Sequence, residues 1–318
     1  MLKKLLLLLL LCPVLYLHGC NDDGNDTSSG EDICLQGHLA FDPLIFQQDG
    51  FHFFVIGDTG TGDSQQQTAA AILESYHLSY PLDGIIHTGD IFYPRGLDSA
   101  DDDDAYSKFT SVYQGLSPLP WYFVAGNHDH DGSIQALLAF AAGDESLHYP
   151  APYYLKTLSK QGLNWQINLL ATDTTPFTFG LVQAEQLAWL QNQLSALENQ
   201  LNLVIGHHPV FSNGSHGGAK ELQSSLYPLL KEYRVPLYLS GHEHSLQLLP
   251  GREAVSFLIS GAGGAGLREV SCNNSLYAET SLGGFGLFVT QKQLYLIPVT
   301  QGGPQFMFPL ALEQVTDN

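Results

Sequence analysis

The stretch Phe53-Phe54-Val55-Ile56-Gly57-Asp58-Thr59-Gly60 decides the fold of this 318-residue chain, because it joins an apolar run to a turn that carries a carboxylate. A short apolar run followed by glycine and polar residues predicts a buried strand that ends in a loop. Four further stretches repeat the pattern, each with an apolar run directly before it. They are Gly89-Asp90-Ile91-Phe92-Tyr93, Gly126-Asn127-His128-Asp129, Gly206-His207-His208 and Gly241-His242-Glu243-His244.

The five strand ends predict a metal centre. If they meet, they bring two Asp, one Tyr, one Asn and three His to one edge of a sheet, where open α/β sheets place their ligands. Mixed oxygen and imidazole donors suit two transition metals better than calcium or a single structural zinc. The candidate ligands are Asp58, Asp90, Tyr93, Asn127, His207, His242 and His244.

The five motifs, in this order, resemble the metallophosphoesterase superfamily and, within it, the tartrate-resistant or purple acid phosphatases. The resemblance spans roughly residues 50 to 300. Most of the superfamily begins with Asp-x-His, whereas Gly60 stands here at the position of that histidine. Tyr93, three residues after Asp90, stands where the purple enzymes have a tyrosinate ligand. The loss of one ligand and the gain of another favour the purple branch.

The resemblance implies an α/β fold, a four-layer sandwich of two mixed β-sheets flanked by helices, with the metal site at strand ends. It implies an acid phosphatase that hydrolyses phosphate monoesters with an Fe(III)–M(II) centre and a metal-bound hydroxide nucleophile. Asp90 would bridge the two ions. The implied Fe(III) ligands are Asp58, Asp90, Tyr93 and His244. The implied ligands of the divalent ion (Fe, Zn or Mn) are Asp90, Asn127, His207 and His242.

Two histidines are the candidate catalytic residues. His128 directly follows a proposed ligand, so we expect it to bind phosphate and to protonate the leaving alkoxide, while Asp129 either orients it or caps the next helix. His216 lies nine residues after His207, where the purple enzymes carry a second histidine on the substrate side. His208 either shapes the pocket or packs its loop.

The first nineteen residues predict an exported protein. Two lysines precede an apolar run from Leu5 to Leu11, which is typical of a secretory signal peptide. The segment is too short, and too interrupted by Pro13, for a membrane span. Leu17-His18-Gly19-Cys20 resembles the processing box of bacterial lipoproteins, so we expect a lipid on Cys20 as the only membrane contact. The alternative is ordinary cleavage and a periplasmic or secreted protein.

An acidic segment separates the signal from the rest of the chain. Residues 21–32 contain no apolar side chain, so 20–33 are predicted to be a flexible tether. We expect residues 34–318 to form a single metallophosphoesterase catalytic domain, because the sequence has no internal repeat and no clear boundary.

The two cysteines of the expected catalytic domain are open to two interpretations. Cys12 is removed with the signal peptide, and Cys20 is the candidate lipid site. Cys34 and Cys272 remain, and an exported protein meets an oxidising compartment. They form either a disulfide or two free thiols, since sequence separation does not establish bonding distance.

The charge balance limits the partners. Lys and Arg number 12 against 32 Asp and Glu, giving a formal net charge of −20. Such a surface repels nucleic-acid backbones, which excludes general nucleic-acid binding. Bound metals would supply the positive charge for a small-molecule or protein phosphomonoester. The Asp101–Asp104 run is predicted to be a solvated loop or helix start, with rejection of highly charged substrates as the alternative.

The remaining pattern supplies the scaffold. Gly261-Ala262-Gly263-Gly264-Ala265-Gly266 lacks the Lys-Ser/Thr of a phosphate-binding loop, so it is predicted to be a structural loop beside the metals. Predicted helices are Gln65–His77, Ala105–Gln114, Ser133–Ala142, Gln183–Leu197 and Lys220–Tyr233. Further predicted strands are Tyr153–Leu158, Trp165–Ala171, Val255–Ile259, Phe285–Thr290 and Leu294–Val299.

Two other functions stay open at this point. The first is a phosphodiesterase or nucleotidase of the same superfamily that uses two divalent metals. Gly60 and Tyr93 argue against it. The second is a lipid-anchored binding protein with a vestigial metal site, against which stands the complete ligand set.

Overall fold

The computed structural model describes residues 34–181 and 183–312. The predicted signal peptide (1–19) and tether (20–33) lie outside the described residues. The assignment of 34–318 to a single domain stays a prediction. In the described part of the chain, no helix combines the length and the apolar character that crossing a membrane requires.

Strands make up most of the regular structure, and each predicted strand begins and ends within two residues of its expected bounds. They are β1 (Cys34–Leu35), β2 (Leu39–Ala40), β3 (Phe51–Ile56), β4 (Gly84–His87), β5 (Trp121–Phe123), β6 (Leu147–His148), β7 (Tyr154–Leu158), β8 (Ile167–Ala171), β9 (Leu201–Ile205), β10 (Leu237–Ser240), β11 (Leu246–Arg252), β12 (Val255–Ser260), β13 (Tyr277–Glu279), β14 (Gly284–Val289), β15 (Gln293–Thr300), β16 (Gly303–Pro304) and β17 (Phe306–Ala311).

Helices fill the connections. Side chains cap the two best-defined starts: Asp63 accepts from two backbone N–H groups of the first helix, and Ser133 accepts from Ala136 in the fourth. The α-helices are α1 (Ser64–Ser79), α2 (Asp103–Ala105), α3 (Asn127–His130), α4 (Ile134–Ala142), α5 (Thr175–Thr178), α6 (Ala184–Ala196) and α7 (Lys220–Glu232).

One predicted helix is wrong as a continuous element. Over Ala105–Gln114 the chain passes from α2 into a π-helical turn at Tyr106–Thr110, and a separate 3₁₀ turn follows at Gln114–Leu116. The hydroxyl of Thr110 donates to the carbonyl of Ala105, five residues back, and so supports the wider turn. The acidic run forms the helix start, with Asp102 as its N-cap.

The described strands form two mixed sheets. The first has the order β1-β13-β11-β12-β10-β9-β8-β7, and the second the order β2-β17-β15-β14-β3-β4-β5-β6, with β16 beside β15. Each sheet contains one parallel group. The group β12-β10-β9-β8 lies inside the first sheet, and β3-β4-β5-β6 forms one end of the second. Antiparallel strands lie on both sides of the first group and on one side of the second, where β14 pairs with β3. This confirms the expected α/β fold of two mixed sheets with helices.

The alternation of side chains along β10 shows how the layers pack. Leu237 and Leu239 belong to the large apolar cluster that also contains Phe285 and Leu287 of the second sheet. Tyr238, between them, belongs to a second cluster with leucines of α6 and α7. Because successive side chains of a strand point to opposite faces, one strand joins the inter-sheet core to the outer helices.

Candidate metal centre

Five loops from the two sheets meet in one cluster of polar side chains. The loops after β3, β4 and β5 come from the second sheet, and those after β9 and β10 come from the first. The sequence predicted a single sheet edge, but the motifs divide three to two between two sheets. The cluster therefore lies where the carboxyl ends of both parallel groups meet.

Tyr93 lies at the centre of a first group of donor atoms. Its Oη is 3.1 Å from Oδ1 of Asp58 and 2.9 Å from Oδ2 of Asp90. The same Oη is 3.2 Å from Nε2 of His244, which in turn lies 3.5 Å from Oδ1 of Asp58. Three oxygens and one imidazole nitrogen therefore surround one small volume.

His207 lies at the centre of a second group. Its Nε2 is 3.3 Å from Oδ2 of Asp90 and 3.2 Å from Oδ1 of Asn127. It is also 3.3 Å from Nδ1 of His242. This group contains two nitrogens, one amide oxygen and one carboxylate oxygen, so it is richer in nitrogen than the first.

Oδ2 of Asp90 belongs to both groups. Donors bound to one transition metal at about 2.0–2.3 Å stand roughly 3–3.5 Å from one another, and the distances above fall in that range. The residues thus fit two adjacent metal ions that share one carboxylate, with harder donors on one side and more imidazole on the other. The structure brings all seven predicted ligands together, and their individual ligand roles remain a prediction.

Hydrogen bonds behind the cluster orient its histidines. Nδ1 of His207 donates to the carbonyl of Thr88 at 2.9 Å, and Nδ1 of His244 donates to the carbonyl of Gly266 at 2.8 Å. Each bond fixes the tautomer, so that the lone pair of Nε2 faces the cluster. His242 instead presents Nδ1 to the cluster, because Nδ1 is the atom near His207.

Three of the predicted ligands have an unusual backbone. Asp58, Asp90 and His242 have φ values of 56°, 53° and 67°, in the left-handed region that non-glycine residues rarely adopt. Gly89 precedes Asp90 with φ of 94°, and a Cβ there would lie 2.7 Å from Nδ1 of His207. Such strain concentrates at functional sites, where the surrounding fold holds the residues in place.

The carboxylates of the cluster raise the pKa values of the neighbouring Tyr93 and His207 side chains. Burial raises the pKa of the Tyr93 phenol well above its usual range, and the carboxylates of Asp58 and Asp90 raise it further. Burial alone lowers the pKa of His207, but Asp90 and then Asp58 outweigh it and raise that pKa to about 9. Both groups hold protons at neutral pH without a metal, so metal binding must release protons.

His128 lies beside the first group. Its backbone N–H donates to Oδ1 of Asp90 at 2.8 Å, and its ring centre is 4.4 Å from that of Tyr93. Its Nδ1 donates to the carbonyl of Pro94 at 2.6 Å, and Nε2 has no hydrogen-bond partner among the described residues. The predicted catalytic histidine is therefore anchored directly to the shared carboxylate.

His216 lies beside the second group. Its ring centre is 4.8 Å from that of His242, and its side chain is 43% exposed. Oε1 of the buried Glu243 accepts from the backbone N–H of His216 at 2.7 Å and from that of Gly217 at 2.9 Å. His128 and His216 thus adjoin different halves of the cluster, and both are accessible from outside.

The structure gives Asp129 a different role from orienting His128. Its carboxylate is buried and accepts from the backbone N–H groups of Ile91, Phe92 and Gly126. It therefore joins the loop after β4 to the start of its own helix, α3. The sequence spacing could not separate these roles, since the loop after β4 lies almost forty residues earlier.

The sequence also left His208 and the glycine-rich loop unresolved. His208 is buried, its Nδ1 lies 3.1 Å from the hydroxyl of Thr174, and its ring centre is 4.4 Å from that of His242. It therefore packs its loop and also adjoins the cluster. The glycine-rich loop lies beside the site as expected, because a Cβ on Gly261 would stand 2.7 Å from Oδ2 of Asp58.

Sequence reasoning missed one pair near the site. Nε2 of His130 lies 2.9 Å from Oδ1 of Asp173, and the backbone N–H of Asp173 donates to Gln186. His130 directly follows the third motif, but its partner follows β8, where no motif marks it. Only the assembled fold makes the pair visible.

The fold and the cluster define a metallophosphoesterase with the binuclear metal site typical of that class. The sequence pattern of the family described as calcineurin-like phosphoesterase matches residues 51–246, and the chain belongs to this family. It is 32% identical over 285 residues to mouse (Mus musculus) tartrate-resistant acid phosphatase type 5, covering 79% of this chain and 87% of that protein.

Solved structures share the fold at lower sequence identity. The Plasmodium protein GAP50, described as the anchor in the inner membrane complex, has a TM-score of 0.73 at 20% identity, over 84% of this chain and 90% of that one. The purple acid phosphatase PPD1 from yellow lupin (Lupinus luteus) seeds has a TM-score of 0.64 at 16% identity, over 84% of this chain and 54% of that one. These similarities concern architecture.

Proposed function

We propose that the protein is an acid phosphatase that hydrolyses phosphate monoesters with Fe(III) in the first donor group and a divalent ion in the second. The observation that carries the proposal is the position of the Tyr93 hydroxyl between the carboxylates of Asp58 and Asp90. A phenolate with two carboxylates is a hard, anionic donor set, which suits Fe(III). Iron, zinc or manganese fits the second group.

The residues around the metals have different roles in the proposed reaction. When bound, two adjacent ions supply Lewis acidity and a water that loses its proton near or below neutral pH. His216 and His128 bind the phosphate from the two halves of the site. His128 in its imidazolium form gives the Nε2 proton to the leaving oxygen, while its Nδ1–H stays bonded to the carbonyl of Pro94.

The colour and metal content of the purified protein test this proposal. A phenolate bound to Fe(III) absorbs visible light, so the protein should be pink to purple and contain one iron and one second metal. Tyr93→Phe should lose the band, whereas Tyr106→Phe, an exposed tyrosine, should keep it. An unchanged spectrum in Tyr93→Phe would reject the ligand assignment.

The substrate preference is measured with nitrophenyl phosphate and bis(nitrophenyl) phosphate. We expect a higher kcat/KM for the monoester. A colourless protein that prefers the diester and contains two divalent ions would instead establish the phosphodiesterase alternative.

We further propose that residues 34–318 act as one catalytic domain that a lipid on Cys20 holds at a bacterial membrane. The support is the signal-like start and the processing box, both of which lie outside the described residues. Wild type should fractionate with membranes and incorporate radiolabelled fatty acid, and Cys20→Ser should do neither. Label that persists in Cys20→Ser would refute the anchor.

A further inference from the structure

Arg268 lies beside the second donor group of the metal centre, and no sequence motif predicted a role for it. It follows the glycine-rich loop after β12. Its backbone N–H donates to the carbonyl of His244 at 3.0 Å, and its own carbonyl accepts from the hydroxyl of Thr280 at 3.3 Å. The backbone of Arg268 is therefore attached directly to a proposed metal ligand.

The guanidinium is anchored through one of its nitrogens. Nη1 donates to Nδ1 of His216 at 3.0 Å and to the carbonyl of His242 at 3.2 Å. These two bonds use both hydrogens of Nη1. The Nε and Nη2 hydrogens have no acceptor among the described residues. That edge of the guanidinium is the fork that binds two oxygens of a carboxylate or a phosphate through two parallel hydrogen bonds.

The ion pairing of Arg268 also differs from that of other cations in the described part of the chain. It forms no ion pair with any carboxylate in the described ranges, although the chain carries a formal net charge of −20. Four other cations lie within 2.7 Å of a carboxylate: Arg95, Lys108, Lys160 and Lys231. An anchored, half-buried guanidinium with a free fork is a preorganised anion site.

The fork is too far away to hold the phosphate that reacts. Since Arg268 donates to Nδ1 of His216, only Nε2 of that ring is left to bind the reacting phosphate. Two hydrogen bonds of ~3 Å on opposite sides of one imidazole ring place the phosphate oxygen about 7–8 Å from Nη1. The Nε–Nη2 edge lies on the side of the guanidinium opposite Nη1, so it is available to a different part of the substrate.

We propose that Arg268 is a specificity-determining residue that binds a second oxyanion, a carboxylate or a phosphate, on the alcohol portion of the substrate. This inference rests on the proposed monoesterase function. It makes phosphomonoesters that carry a second anionic group the favoured substrate class, although the protein as a whole is acidic. The local guanidinium and the metals offset the repulsion of such substrates by the surface.

Three aryl phosphates test the proposal: phenyl phosphate, 3-carboxyphenyl phosphate and the bisphosphate of benzene-1,3-diol. Arg268→Met should lower kcat/KM about tenfold for the two substrates with a second anionic group, which is the size expected for a charged bidentate contact. For phenyl phosphate the loss should be less than about threefold. Arg268→Lys, which keeps the charge and loses the fork, should be intermediate. If only one of these two substrates responds, its second group, carboxylate or phosphate, is the one that Arg268 binds.

Arg252→Met is the matched control, because it removes the same charge where the guanidinium stacks 4.1 Å above the ring of Phe211. It should leave the ratio between substrates unchanged. Equal losses on all three substrates in Arg268→Met would overturn the proposal and leave Arg268 as a positioning residue for His216.

A binding measurement separates this inference from the proposed function. Phenylphosphonate and 3-carboxyphenylphosphonate cannot be hydrolysed as esters, and calorimetry gives their Kd for the metal-loaded protein. Wild type should bind the carboxylated compound about tenfold more tightly, and Arg268→Met should bind both alike. If wild type hydrolyses no aryl phosphate, the proposed function fails, and the ratio of the two Kd values still decides the role of Arg268. Equal Kd values in wild type would overturn it.

Discussion

The floor and the rim of the site are built in opposite ways. We call the seven clustered donor residues the floor, and the segments 212–217 and 266–276 the rim. Floor residues follow strands directly, and the sheets fix their positions. The rim has almost no regular structure: Gly214 and Val270 form one isolated bridge, and the N–H of Ser271 donates to the carbonyl of Asn213.

Contacts of side chains hold the rim in place, whereas the backbone hydrogen bonds of the sheets hold the floor in place. Asn213 donates through Nδ2 to the hydroxyl of Ser275 at 2.7 Å and to the carbonyl of Asn273. A disulfide joins Cys272 to Cys34 of β1, with their Cα atoms 5.4 Å apart. The floor is thus set by the fold as a whole, whereas the rim depends on a few replaceable contacts. We expect floor variants to abolish the chemistry and rim variants to modulate it.

The largest effect is expected at the shared carboxylate. Asp90→Ala removes a donor from both groups, so it should release both metals and lower kcat/KM roughly a thousandfold or more. Asn127→Ala should weaken only the second site. Metal analysis after dialysis checks this, with exposed Asp131→Ala as the control. Two tightly held ions in Asp90→Ala would show that the carboxylate is not shared.

The next largest effect is expected at the proton donor. An alkyl phosphate needs a proton on its leaving oxygen, and a nitrophenyl phosphate needs little help. His128→Ala should therefore lose about 10²–10⁴-fold in kcat/KM on the alkyl ester, and much less on the aryl ester, with both metals retained. Exposed His38→Ala serves as the control. Equal losses on the two esters would leave His128 as a phosphate binder.

A smaller effect is expected where the rim meets the floor. Glu243→Ala would leave the N–H groups of His216 and Gly217 without their acceptor, each at about 1–3 kcal/mol if water does not replace it. We expect kcat/KM to fall about tenfold while metal content is kept. Glu243→Gln retains an oxygen that can accept both bonds and should stay close to wild type. If the two variants behave alike, the charge of Glu243 matters rather than its hydrogen bonds.

The smallest effect on activity is expected from the disulfide. Replacing Cys34 and Cys272 together by alanine should lower the free energy of unfolding by about 2–4 kcal/mol, because the bond closes a long loop. At 25 °C kcat/KM should change less than about threefold. Urea unfolding with and without reductant measures this, and the double variant should not respond to the reductant. A large loss of activity with unchanged stability would make the disulfide part of the site.

The same contrast explains what the sequence could predict. Each floor residue stands a fixed few positions after an apolar run, so five local patterns place all seven residues before any contact is known. The contact between Arg268 and His216 joins residues 52 positions apart on two irregular segments, and no local pattern encodes it. The disulfide stayed open for the same reason. The predicted Ala105–Gln114 helix was wrong as one continuous element. Lys108, within its π-helical turn, donates to the carbonyl of Tyr93, a contact that no local pattern encodes.

The left-handed backbone of Asp58 and Asp90 has an evolutionary consequence. Asparagine is one of the few residues that adopt this conformation readily, and it has the shape of aspartate without the charge. An Asp-to-Asn replacement at position 58 or 90 would weaken metal binding while leaving the backbone, the core and the sheets undisturbed. It would also relieve the repulsion between the clustered carboxylates when no metal is bound. One conservative replacement can thus convert an enzyme of this fold into a non-catalytic binding protein without a loss of stability.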